Sequence, residues 1–244
     1  MRMFESRGDD RVKTRAWARI GVAALLIVGF ASACTTTQQV RVQQADVKCG
    51  FLGSDCERLA PGAKGQFDLR YVNPSANWRQ YTKVIVDPVT FWGDSGKVSA
   101  AEQQALADHF YQVLREQLGK RFQLVDEPGP GAMRVQVALT DVEPATPGLR
   151  TISTVVPQVR ILNTLKYAAT GTYAFVGGAQ GEAKLTDAVT GQLLGEAVDR
   201  RVGGGSLKAA AQWQWGDAEN AMTDWATQVT ERLYSWTSGT APAS

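Results

Sequence analysis

Few side chains in this sequence are of types that bind, attack or carry lipid, and their spacing limits the chemistry open to them. Three cysteines stand at 34, 49 and 56, and the one histidine is His109. Cys34 follows Ala31-Ser32-Ala33, behind an uncharged run from Ile20 to Phe30. Before that run, Arg2, Arg7, Arg11, Lys13, Arg15 and Arg19 outweigh Glu5, Asp9 and Asp10. A basic region, a short apolar run and small residues form the pattern of a secretory signal peptide, here 1–33. The run is too short for a permanent membrane helix, which needs about 20 apolar residues.

Ala31-Ser32-Ala33-Cys34 resembles the lipobox of bacterial lipoproteins, in which the cysteine is acylated and becomes the mature N-terminus. The resemblance implies a lipid anchor (palmitate-type chains) on Cys34, and more than one chain makes a stable hold. Ala31 replaces the usual Leu, and Ala-x-Ala also satisfies ordinary signal peptidase, whose product is a soluble periplasmic protein. Thr35, by resemblance to enterobacterial sorting, implies the outer membrane, with the chain facing the periplasm.

Cys49 and Cys56 remain, and two close cysteines in an oxidising compartment are expected to pair. Cys-x₆-Cys is not a redox-active spacing, so the bridge reads as a staple. His109 would have to serve any Ser-His-Asp triad, but its place on a helix beside Phe110 reads as packing or surface. With one histidine, the sequence predicts no catalytic residue, no metal site and no cofactor. Asp87-Pro88 closes a strand and Trp92 follows it; together they are the candidate ligand contact, against the simpler reading of a turn aspartate and an edge tryptophan. Asp187 reads as a hairpin residue and Asp199-Arg200-Arg201 as an ion-pair cluster. Gly203-Gly204-Gly205-Ser206-Leu207-Lys208 lacks the phosphate-loop spacing and reads as a connector.

The elements that position these residues follow from periodicity. Residues 34–48 are polar and read as the lipidated cysteine with a flexible tether, followed by a single domain over 49–238 and a disordered tail over 239–244. Lys83 to Val89 is an apolar, β-branched strand. Ser99 and Glu102 form a capping box ahead of the stripe Leu106, Phe110, Val113, Leu114 and Leu118, with Gly119 as C-cap. Phe122 to Val125 is a strand, and Met133 to Val142 alternates as a strand with one wet face. Glu182 to Arg200 is a hairpin turned at Thr190-Gly191. Trp215, Ala218, Met222, Trp225, Val229, Leu233 and Trp236 make one apolar face of a last helix. The predicted fold class is α+β, a two-layer sandwich of about five mostly antiparallel strands with two amphipathic helices on one face. Pro157 starts an expected short helix in which Ile161 and Leu165 either cover the sheet or meet a partner or the membrane.

Several of these segments resemble the bacterial lipoprotein family called domain of unknown function 3313. The matching residues are Gly50-Phe51-Leu52, Leu69-Arg70-Tyr71-Val72-Asn73-Pro74 with Trp78 and Tyr81, and Val84 to Val89. Glu182 to Gly191, Asp199-Arg200-Arg201, and Trp215-Gly216-Asp217 with Ala221, Trp225 and Ala226 follow in family order. The resemblance implies an envelope lipoprotein and no assigned activity, and it does not imply the Cys49–Cys56 bridge. The whole chain, 244 residues with a net charge of +2, becomes slightly acidic once the basic leader is removed. That leaves no basic footprint for nucleic acid. The sequence thus predicts a non-enzymatic outer-membrane lipoprotein with an envelope protein as partner, the alternative being a soluble or anchored periplasmic ligand-binding or hydrolytic domain with a site near Asp87 and Trp92.

Overall fold

Sustained alternation of apolar and polar residues builds the middle of a nine-stranded sheet. The computed structural model describes residues 37–93, 96, 98–146, 177–204 and 214–241. Its strands are β1 (Thr37–Val40), β2 (Ala60–Pro61), β3 (Leu69–Val72), β4 (Lys83–Val86), β5 (Thr90–Phe91), β6 (Gln123–Leu124), β7 (Ala132–Glu143), β8 (Gly178–Asp187) and β9 (Leu193–Gly203). The three long strands β7, β8 and β9 are antiparallel neighbours in the order β2-β3-β9-β8-β7-β4-β6. The outer edge of β9 is shared end to end by β3, which pairs Leu69 with Val198, and β1, which pairs Thr37 with Gly203. The edge of β7 is shared in the same way by β4 and β5, both parallel to it, and β6 runs parallel to β4. The sheet is therefore mixed and larger than the five mostly antiparallel strands expected. Strands of two to four residues carry too little alternation to register as a period.

The helices are α1 (Cys49–Leu52), α2 (Ala100–Gly119) and α3 (Gly216–Ser238). The capping box opens α2: the Glu102 amide donates to Ser99 Oγ at 3.4 Å, and the Ser99 amide donates to Glu102 Oε2 at 3.0 Å. Leu106, Ala107, Phe110, Leu114 and Leu118 are its buried stripe. On α3 the stripe is Ala218, Ala221, Met222, Trp225, Ala226, Thr230 and Leu233. Both helices cover one face of the sheet, where Met133, Val135, Val137 and Leu139 of β7 join them in the main core. Glu102 Oε1 accepts from Trp215 Nε1 at 3.1 Å, so the cap of α2 also holds the start of α3.

The opposite face is not wet. Val42, Val47, Leu52 and Cys56 lie over Leu69 and Val198 as a second apolar cluster. From Thr37 onward, the expected tether 34–48 is folded: β1 pairs with β9, and the Val42 amide donates to Asp68 Oδ2 at 2.7 Å. Its exposed polar side chains misled because the segment is held by buried Val42 and Val47, by strand pairing and by bonds of Thr37 to Asp224 and of Gln39 to Asp199. At the other end, part of the expected disordered tail 239–244 is also ordered. Gly239 takes a left-handed φ of 73°, and the Thr240 amide returns to the Ser235 carbonyl at 3.0 Å. Gly119 is the last residue of α2, not its cap; Lys120 caps it in right-handed helical geometry.

Candidate functional site

The structure separates the residues singled out by type. Cys34, Ile161 and Leu165 lie outside the described residues. Cys49 and Cys56 are joined in a disulfide with a Cα–Cα distance of 5.6 Å, stapling α1 to the 3₁₀ turn Ser54–Arg58. Asp87 does not serve the turn before Thr90. It takes a 2.5 Å ion pair from Arg134 and a 3.1 Å bond from Gln136 Nε2, both on the face away from α2 and α3. Trp92 is 45% exposed, donates to Thr90 Oγ1 at 3.1 Å and meets the Phe51 ring edge-on at 5.9 Å. Asp87 and Trp92 thus have separate partners, and neither lines the cleft between the sheet and the two long helices. His109 is half-buried, with Nε2 lacking a hydrogen-bond partner. Among the described residues, no cluster of His, Cys, Asp or Glu could hold a metal.

Asp187 holds the β8–β9 turn by accepting from the Val189 and Thr190 amides and from Tyr81 Oη at 2.9 Å. Burial pulls its carboxyl upward, but these bonds outweigh burial and keep it below the usual range. Tyr81 is pushed up to about 12, first by burial and then by this carboxylate. Trp78 is buried against Trp236, ring to ring at 4.8 Å, so it is core.

A concave site lies elsewhere, between the sheet and the two long helices. It is a cleft of about 100 Å³, with Phe110 and Leu114 of α2, Trp225 and Val229 of α3, and Val137 and Ala183 of the sheet among its walls. Gly181 makes room for it: a Cβ there would stand 3.1 Å from the Trp225 ring. Trp225 in turn donates its indole N–H to Asp199 at 2.8 Å. Asp199 also accepts from the Asp68 amide at 2.9 Å, from Gln39, and from Arg201 at 3.1 Å. Burial raises its carboxyl above the ordinary value against these bonds.

On the opposite face, acids are buried under the N-terminal layer. Glu182 accepts the Lys48 amide at 2.6 Å, and burial pushes its carboxyl up. The carboxylate of Glu196 has no hydrogen bond, only Lys184 Nζ at 3.6 Å. Burial, with a further push from Asp55, raises Glu196 to about 7 against the pull of Lys184. Lys184 also donates to the Leu52 carbonyl at 2.6 Å, so β8 fastens α1. Sequence reading missed this cluster and the cleft. The available signal was Gln180, Glu182 and Lys184, polar at every second place in a strand whose other face is apolar, beneath a segment rich in backbone donors.

The family model described as protein of unknown function (DUF3313) matches residues 48–229. The uncharacterized lipoprotein YdcL of Escherichia coli K12 is 23% identical over 223 residues, which is 90% of this chain and 97% of that protein. Among solved structures, the PelC dodecamer of Paraburkholderia phytofirmans is similar at 8% identity and TM-score 0.37, over 66% of this chain and 94% of that one. Protein XCC0632 of Xanthomonas campestris is similar at 12% identity and TM-score 0.36, over 70% and 95%. The chain belongs to the DUF3313 family.

Proposed function

We propose that this DUF3313 protein is a non-enzymatic lipoprotein of the bacterial envelope, held at the outer membrane by acylated Cys34 and acting through contact with another envelope component. The lipoprotein relative of similar length supports the class. The observation that carries the reading is where β1 begins. Thr37 is already in the sheet, and the three residue steps from Cys34 reach at most about 10 Å. An acyl anchor on Cys34 therefore presses one end of the domain close to the bilayer. That end carries Gly203, paired with Thr37, and Gly177, whose carbonyl accepts the Gly203 amide at 2.9 Å.

The reading assigns no catalysis to Asp87, which is neutralised by Arg134. Mass spectrometry of the mature protein tests the anchor, with a diacylated or triacylated Cys34 as the expected N-terminus. Membrane fractionation is expected to place it with outer-membrane markers and to lose it to the periplasm in Cys34→Ser. In-cell crosslinking is expected to capture an envelope protein that Ile161→Ser with Leu165→Ser loses while the melting temperature holds. An unprocessed Met1 on the folded protein overturns the reading.

A further inference from the structure

The mouth of the cleft carries charges that packing alone does not explain. Leu69 of β3 lies in the cluster under the N-terminal layer, so the alternating residues Arg70 and Val72 face the helices. Arg70 thereby lines the cleft together with Arg232 of α3, and the two guanidiniums repel each other. Among the described residues no carboxylate pairs with either. Arg232 donates to the Gly65 carbonyl at 3.4 Å, while neighbouring Glu231 is taken by Arg121 at 3.1 Å. Asp199, the acid on the cleft side, is taken up by Gln39, the Asp68 amide, Trp225 and Arg201. Glu182 and Lys184 also border the cleft, but their charged heads reach the Lys48 amide and the Leu52 carbonyl on the opposite face.

Two like charges partly withdrawn from water are unfavourable, and an anion between them relieves both. Behind them the walls are apolar, and the space of about 100 Å³ far exceeds the roughly 10–15 Å³ that one water needs. Apolar cavities stay dry and accept apolar guests. We propose that this cleft binds an acyl chain bearing an acidic head group, with the chain against Val137, Ala183 and Val229 and its carboxylate or phosphate between Arg70 and Arg232. The site does not depend on acylation of Cys34 and is distinct from Asp87 and Trp92.

Photolabelling tests it. The full-length protein in lipid nanodiscs is irradiated with a diazirine-bearing dodecanoic acid, and the labelled peptides are mapped by mass spectrometry. Label is expected on the part of α3 holding Val229 and Leu233. An excess of undecanoic acid or of a monoacyl phosphate is expected to suppress it, with undecanol far less effective. Suppression by the fatty acid alone assigns a carboxylate head and by the monoacyl phosphate alone a phosphate head; either upholds the site. Arg70→Gln with Arg232→Gln is expected to cut labelling about a hundredfold, the loss of two charge-assisted contacts at about tenfold each, with near-ultraviolet dichroism unchanged. If that variant loses its fold, competition on the unaltered chain decides. Suppression by undecanol equal to that by the acid, suppression by inorganic phosphate alone, or label scattered over the surface overturns the proposal.

Discussion

The two faces of the sheet are buried by opposite means. Under α2 and α3 the cover is apolar and periodic, and large rings such as Trp225 and Trp78 do the filling. Under residues 42–59 the apolar cluster is small, and polar side chains of β8 hold the cover through its backbone. Glu182 takes the Lys48 amide and Lys184 reaches the Leu52 carbonyl. A regular helix satisfies its own backbone, so its cover can be hydrocarbon; an irregular segment brings unpaired amides and carbonyls that the sheet must meet. The first arrangement tolerates a cleft, and the second accepts buried charge.

The comparison breaks most visibly at Asp199, the side chain both covers share through Gln39, Asp68 and Trp225. Asp199→Ala leaves the buried Trp225 indole without its acceptor, while Arg201 keeps Asp224 and Gln228, and a loss of about 3 kcal/mol is expected, read by urea denaturation. Next is the staple. Cys49→Ser with Cys56→Ser frees a short loop, and the chain-entropy relation gives a loss of about 2.5 kcal/mol. Amide hydrogen exchange should then rise over residues 42–59 well before it rises in α2. Equal loosening of both faces would show that they are not independent.

Glu196 sharpens the contrast through pH. Its carboxyl, raised to about 7, keeps a proton in the folded chain that the unfolded chain has already released. Its contribution is therefore full at acidic pH and is lost as pH rises through about 7. Glu182 and Asp199, also raised, act in the same sense, whereas Asp187, lowered, acts in the opposite one. Lys184, Asp55 and Arg58 are the charged groups that face Glu196. Glu196→Gln is expected to flatten the fall in melting temperature between pH 5 and pH 8 and to raise stability at pH 8 by about 1–2 kcal/mol. The smallest effect expected is Ser99→Ala on the helix side, about 1 kcal/mol from the lost cap, with no change in the profile between pH 5 and pH 8.

The same contrast explains what the sequence discloses. The stripes of α2 and α3, the capping box and the β8–β9 turn are local repeats, so periodicity locates them. Strands β2, β5 and β6 have two residues each, too few to repeat. The fold of 37–48 depends on partners far along the chain: Val42 on Asp68, 26 residues away, and Lys48 on Glu182, 134 away. No local window contains both members of such a pair, so the segment looked solvated. Cys49 and Cys56 were legible because they are close and alike. The cleft was not, because Arg70 and Arg232 meet only after β3 and α3 have packed. Asp87 drew attention as a strand-end acid, yet its cation comes from the adjacent strand.

The outermost strands of the sheet, β2 and β6, are two residues long, and β2 ends in Pro61, which has no amide to offer. A long bare margin of backbone groups is a template on which further copies can polymerise. Among the described residues that template is broken into short pieces at either margin, where the four residues of β1 and the two of β5 share the edge with β2 and β6. Neighbouring copies that collide sideways are thereby kept from zipping into fibrils.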